Sequence, residues 1–124
     1  MEKTLLKIMI AESQPLIAME LERILKEVAH CQISICAGTA LEACLELDNF
    51  DAVFVDAAAT LEACVLQNEQ IGNAGAKTVF LSSYPKMYEQ LSSLQPLGVV
   101  EKPFDDYLIK DLVRTWQSTG KLPS

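Results

Sequence analysis

Five short apolar segments recur along the chain, and each is followed by a longer segment whose apolar residues have helical spacing. Continuous apolar segments of this length are typical of strands that are buried on both faces of a parallel sheet. The alternation predicts an α/β chain in which helices cover both faces of one sheet. The predicted strands occupy 5–11, 33–37, 52–55, 78–81 and 99–100, and we expect 52–55, with the sequence AVFV, to be central.

The segments between these strands predict five helices. Thr39 is followed three residues later by Glu42, which is the spacing of a capping box, and this pair predicts the start of the second helix. The glycine of the sequence NAGA lets the third helix end. The predicted helices begin at Pro15, Thr39, Leu61, about Pro85, and after Pro103.

Strand and helix therefore alternate five times, with short connections and no linker, repeat or low-complexity tract. Because crossovers between parallel strands are right-handed, we expect a doubly wound (βα)5 domain with the flavodoxin-like strand order 2-1-3-4-5. Half of the 124 residues are hydrophobic, enough for one well-filled core. We expect a single domain over residues 1–124, with 120–124 as a flexible tail.

Composition narrows the class of function. The formal net charge of −7 repels nucleic-acid phosphates and anionic membranes, so we expect neither as a direct partner. The first apolar segment is too short for a signal peptide or a membrane span, which indicates a cytoplasmic location. The four cysteines form no CxxC pair, and the one histidine has no companions at the spacings that a zinc site needs. We therefore expect the cysteines to be buried free thiols. The residues are Cys31, Cys36, Cys44, Cys64 and His30.

Polar residues follow four of the five predicted strands. In a doubly wound sheet the ligand site lies beyond the carboxyl ends of the strands, where the strand order reverses. Two carboxylates, a hydroxyl and a lysine at this edge are the groups that phosphoryl transfer to an aspartate uses. The residues are Glu12, Ser13 and Gln14 after the first strand, Asp56 after the third, Ser82 and Ser83 after the fourth, and Lys102 and Pro103 after the fifth.

Four stretches follow one another along the chain, namely IMIAESQPLIAMELERIL, FDAVFVD, VFLSSY and VVEKPFD. In this order they resemble the receiver domains of bacterial response regulators, the CheY-like proteins of two-component signalling. The resemblance implies that Asp56 is the phosphoacceptor, and that Ser82 and Lys102 contact the phosphoryl group. It further implies a Mg²⁺ site formed by Glu12, Asp56 and the backbone carbonyl of Ala58.

Three positions depart from the pattern of that family. Ser13 stands where the family usually has an aspartate that binds the metal, so we expect weak Mg²⁺ binding or none. The sequence AAAT after Asp56 replaces the usual hydrophobic residue and proline. Val99 occupies the switch position, where the family typically has an aromatic ring.

Two functions from different classes remain open at this point. The first is a stand-alone receiver that takes a phosphoryl group from a sensor histidine kinase or phosphotransfer protein and then binds a downstream partner. The second is a pseudo-receiver that binds partners without phosphorylation. The resemblance also implies a possible homodimer through the last two helices and the fifth strand. We do not expect an enzyme, because no strand is followed by a glycine-rich phosphate loop.

Overall fold

A computed structural model describes residues 5–118 of the chain. Its core is a parallel five-stranded sheet in the order β2-β1-β3-β4-β5, which confirms the predicted flavodoxin-like topology. The central position of β3 is confirmed as well, and all but the last of its residues are buried. The strands are β1 (Leu6–Ala11), β2 (Cys31–Cys36), β3 (Ala52–Asp56), β4 (Lys77–Ser82) and β5 (Gly98–Glu101).

Five helices connect and cover these strands, as predicted, but two of them are shorter than expected. The second and fourth each contain only five α-helical residues, and each is preceded by a 3₁₀ turn. The third ends before Gly75, whose φ of +85° is the left-handed conformation that favours glycine. The helices are α1 (Pro15–Val28), α2 (Leu41–Leu45), α3 (Leu61–Asn73), α4 (Tyr88–Ser92) and α5 (Asp106–Ser118).

The predicted capping box at Thr39 is wrong. Thr39 lies inside the 3₁₀ turn Gly38–Ala40, so it does not hold the extended backbone that an N-cap residue adopts. In neither that turn nor α2 does a backbone N–H donate a hydrogen bond to the side chain of the N-cap residue. The threonine that does cap a helix is Thr60, whose hydroxyl oxygen accepts a hydrogen bond from the Ala63 N–H at 3.2 Å.

Alternate residues of each strand enter two separate hydrophobic cores. In β1, Ile8 and Ile10 pack beneath α1 and α5, whereas Met9 and Ala11 face α2, α3 and α4. This period of two is what helices on both faces of a sheet require. Helices therefore cover both faces of the sheet. The carboxyl ends of its strands lie along one edge.

Two further predictions concern the cysteines and the end of the chain. Cys64 is fully buried, but the prediction of buried thiols is wrong for Cys31, Cys36 and Cys44, which are partly exposed; all four thiols are free. The predicted flexible tail at 120–124 lies outside the described residues. None of the helices described between residues 5 and 118 is long and apolar enough to cross a membrane.

The cap at Thr60 gives a direct test of the fold. We expect Thr60→Ala to lower the free energy of unfolding by about 1 kcal/mol, because it removes the acceptor of the Ala63 N–H. Thr39→Ala is the matched control and should change it by less than about 0.5 kcal/mol. Urea unfolding at pH 7 measures both, and an equal loss in the two variants would contradict the assignment of the cap.

Candidate functional site

The strands bring the predicted site residues to the same edge of the sheet. Asp56 is the last residue of β3 and Ser82 the last of β4, while Glu12 and Lys102 directly follow β1 and β5. Backbone hydrogen bonds continue the sheet past the strand ends, from the Glu12 N–H to the Cys36 carbonyl at 3.2 Å and from the Lys102 N–H to the Ser82 carbonyl at 2.9 Å. The backbone positions of all four residues are therefore fixed by the sheet.

The ammonium group of Lys102 joins the two carboxylates. Lys102 Nζ lies 3.0 Å from Glu12 Oε1 and 2.9 Å from Asp56 Oδ1. The side chain is only 11% exposed, so solvent screens these contacts less than it would on an open surface. The ion bridge ties together the ends of β1, β3 and β5, as the strand order and the parallel register predict.

The two carboxylates differ sharply in access to solvent. The side chain of Glu12 is 1% exposed, and its second oxygen, Oε2, accepts a hydrogen bond from the Gln14 N–H at 3.1 Å. The side chain of Asp56 is 43% exposed. Asp56 is thus the carboxylate that a reactant can approach, whereas Glu12 is a buried anchor for the lysine.

Lys102 remains charged because of these partners. Burial opposes the charged form of the ammonium, but the hydrogen bonds that it donates to Asp56 and Glu12 outweigh burial and raise the pKa of Lys102 above its ordinary value. A permanent positive charge therefore lies beside the Asp56 carboxylate at neutral pH.

Ser82 lies on the neighbouring strand at the same edge, but its hydroxyl is bonded locally. Its oxygen accepts a hydrogen bond from the Tyr84 N–H at 3.1 Å, and the hydroxyl donates to the Tyr84 carbonyl at 3.2 Å. The residue is 3% exposed. Ser82 thus holds the turn after β4, and contact with a group on Asp56 would require its hydroxyl to exchange these partners.

The loop after Asp56 is held by residues that the sequence analysis did not identify. The Gln67 side chain on α3 donates to the Asp56 carbonyl at 3.1 Å and accepts from the Ala58 N–H at 3.2 Å. The Cys64 thiol donates to the Ala58 carbonyl at 3.4 Å. A glutamine eleven residues beyond Asp56 has no motif to mark it, and only the packing of α3 against the strand end reveals its role.

Two of the three departures from the receiver pattern, Ser13 and Val99, lie in different parts of the structure. Ser13 is exposed in the turn between β1 and α1, at the side of the site where Glu12 lies. Val99 is half-buried in β5 and packs against the core that contains α3 and α4. Neither supplies a charge or an aromatic ring to the site.

The oxygen atoms present fit a loosely held Mg²⁺ ion better than a tightly held one. Asp56 offers an accessible carboxylate and Ala58 a carbonyl, and Mg²⁺ commonly completes its shell with water. Both oxygens of Glu12 already accept hydrogen bonds. Within residues 5–118, no three His, Cys, Asp or Glu side chains are arranged to hold a metal ion.

The charges of the site indicate what it can accept. Glu12, Asp56 and Lys102 together carry a formal charge of −1. An acyl phosphate on Asp56 would carry about −2, so the total would become about −2. The lysine is already included in this total, and a bound divalent cation would neutralise the remaining charge.

The ion bridge also contributes to stability. We expect Lys102→Met to lower the free energy of unfolding at pH 7 by about 3 kcal/mol, because it leaves the buried Glu12 carboxylate without its partner. Because the pKa of Lys102 is raised in the folded state, this contribution should be complete below the unfolded-state lysine pKa of about 10.4. The contribution should be lost as the pH rises through the higher pKa that Lys102 has in the folded state.

Urea unfolding across this pH range measures the difference between wild type and Lys102→Met. Lys86→Met replaces an exposed lysine and serves as the control, with an expected change of less than about 0.5 kcal/mol. Equal stability of wild type and Lys102→Met at pH 7 would contradict the bridge.

No protein-family model matches the sequence, and no curated protein is significantly similar to it. Solved structures do match. The response regulatory domain of protein mrkE from Klebsiella pneumoniae has a TM-score of 0.76 and 18% sequence identity, over 93% of this chain and 98% of that one. The signal receiver domain of a modulated diguanylate cyclase from Desulfovibrio desulfuricans has a TM-score of 0.70 and 16% identity, over 94% and 96%.

A third match is the receiver domain of the sensor histidine kinase PA1611 from Pseudomonas aeruginosa. Its TM-score is 0.70 and its identity 15%, over 91% of this chain and 98% of that one. That structure is described with a magnesium ion coordinated in the active site cleft. These similarities agree with the resemblance noted in the sequence, and the fold of this chain is that of response-regulator receiver domains.

Proposed function

We propose that this protein is a receiver in two-component signalling and accepts a phosphoryl group on Asp56. The observation that carries the proposal is the Lys102 ammonium, held between the buried Glu12 and the accessible Asp56. The donor would be a phosphohistidine on a sensor histidine kinase or phosphotransfer protein.

In the proposed reaction, a carboxylate oxygen of Asp56 attacks the phosphorus atom of the phosphohistidine. The phosphorus–nitrogen bond breaks, the imidazole leaves with the bonding electrons, and an acyl phosphate forms on Asp56. A carboxylate needs no general base for this attack, so the protein contributes mainly position and charge. Lys102 supplies positive charge 2.9 Å from Asp56 Oδ1.

Magnesium would be held by Glu12, Asp56, the Ala58 carbonyl and water, with Glu12 exchanging one of its present hydrogen bonds, and when bound it would neutralise charge on the transferred group. The Gln67 side chain supports this arrangement, because it fixes the backbone on both sides of the loop residue Ala57. Ser13 adds no charge here, which is the physical reason for the weak binding that we propose.

The response to phosphorylation would begin at Ser82. A new hydrogen bond from its hydroxyl to the phosphoryl group would replace the bonds to Tyr84 and so displace the turn between β4 and α4. Val99 has no aromatic ring to rotate. The signal would therefore pass through this turn to the surface that begins at α4.

That surface has features of a protein-binding site. Tyr84 is exposed just before α4 and Tyr88 at its first residue, and Tyr107 and Leu108 are exposed at the start of α5. Exposed aromatic and large apolar side chains are enriched where proteins bind one another. They support binding of a downstream partner or a second copy at α4, β5 and α5.

The second candidate is a pseudo-receiver that binds partners without phosphorylation. It is favoured by Ser13, which supplies no acidic side chain, and by Val99, which supplies no aromatic ring. The two functions differ in one measurable property, namely whether a phosphoryl group is transferred to Asp56.

Phosphorylation distinguishes the two functions. Incubation with a small-molecule phosphodonor and excess Mg²⁺ should increase the intact mass by about 80 daltons, which is one phosphoryl group. Asp56→Asn should abolish the gain, and Asp111→Asn, which changes an exposed carboxylate on α5, should retain it. No gain with either a small-molecule or a phosphohistidine donor would favour the pseudo-receiver.

Ser13 provides a separate prediction about the metal. We expect Ser13→Asp to tighten Mg²⁺ binding by roughly tenfold or more, because a third carboxylate joins the site. Ser83→Asp adds the same charge at an exposed position after β4 and should have a much smaller effect. Calorimetric titration with MgCl₂ measures both, and equal affinities in Ser13→Asp and wild type would refute this explanation of weak binding.

A further inference from the structure

Three sulfur atoms meet on the face of the sheet that α2 covers. The Cys36 thiol donates a hydrogen bond to the thioether sulfur of Met9, with 3.7 Å between Sγ and Sδ. The Cys36 and Cys44 thiols are hydrogen-bonded to each other. Both cysteines pack against the core that contains Met9.

The topology explains why these residues meet. Met9 and Ala11 point to the same face of β1, and Cys36 is paired with Ala11 at the end of the neighbouring strand. Cys44 lies on α2, which crosses this face. The sulfur cluster, Met9, Cys36 and Cys44, therefore comes from three separate elements, and no sequence spacing marks it.

The geometry suits a metal ion with sulfur ligands. Metal–sulfur bonds of about 2.3 Å place the sulfur atoms of a trigonal or tetrahedral site about 3.8–4.0 Å apart. The observed separation of Cys36 Sγ and Met9 Sδ is 3.7 Å, which is close to this range. Cys36 and Cys44 are only partly buried, which leaves a path for entry.

The type of ligand selects the ion. Two thiols and a thioether are soft ligands, and this combination favours Cu(I) over harder cations. Zinc commonly requires four ligands from cysteine, histidine or carboxylates. Within residues 5–118, no three such side chains are arranged for that purpose.

We propose that Met9, Cys36 and Cys44 form a binding site for Cu(I). On binding, both thiols lose a proton, two copper–thiolate bonds form, and the Met9 sulfur donates its lone pair as the third ligand. One Cu⁺ enters and two H⁺ leave, so the occupied site carries one negative charge. No oxidation or reduction takes place.

The Cys36 thiol is otherwise poorly reactive. Burial and the hydrogen bond with Cys44 raise the pKa of Cys36 to about 12, so little thiolate exists at neutral pH. Oxidation by peroxide proceeds through thiolate and is correspondingly disfavoured. A soft cation can still displace the proton.

Anaerobic titration of the full chain with Cu(I), in competition with the chelator bicinchoninate, tests the site. We expect one Cu(I) per chain, and X-ray absorption at the copper edge should show three sulfur neighbours. Cys36→Ser and Cys44→Ser should each weaken binding by about 100-fold or more, and Met9→Leu, which conserves volume, by about 10-fold.

Cys31→Ser is the matched control, because Cys31 lies at the other end of β2 and outside the cluster. Its Cu(I) affinity should equal that of wild type. Unchanged binding in both Cys36→Ser and Cys44→Ser, or no binding by wild type, would overturn the proposal. Asp56→Asn should bind Cu(I) normally, so the result is independent of whether the protein is a phosphoryl acceptor.

Discussion

The ion bridge from Lys102 to Glu12 and Asp56 is the interaction on which the site depends. It joins residues at the ends of three strands, with the lysine and the glutamate largely withdrawn from solvent. A buried carboxylate without a partner is strongly destabilising, so each member of the bridge constrains the others. The result is a positive charge fixed beside one accessible carboxylate before any reactant arrives.

This arrangement explains both what the site retains and what it lacks. Asp56, Lys102 and the loop held by Gln67 are positioned by the sheet and by α3. Ser13 removes one source of negative charge, and Lys102 already neutralises much of what remains. We therefore expect the site to hold a metal ion weakly and to depend on Lys102 for positive charge.

The fold and the main site residues could be predicted from the sequence because both follow from the parallel sheet. Strands that are buried on two faces appear in the sequence as continuous apolar segments. Because the strands are parallel, the residues that follow Ala11, Val55 and Glu101 lie at one edge of the sheet. The cap at Thr60 and the clamp at Gln67 could not be predicted. They depend on how the chain enters α3 and how α3 packs, and local sequence does not encode that packing. The sulfur cluster depends in the same way on the position of the short α2.

The most direct test of the central claim is to locate the phosphoryl group within the chain. After incubation with phosphodonor and Mg²⁺, borohydride reduces an aspartyl phosphate to homoserine, and peptide mass mapping identifies the residue that has changed. We expect homoserine at position 56, with a much lower yield in Lys102→Met. Modification at another residue, or an equal yield at position 56 without the lysine, would contradict it.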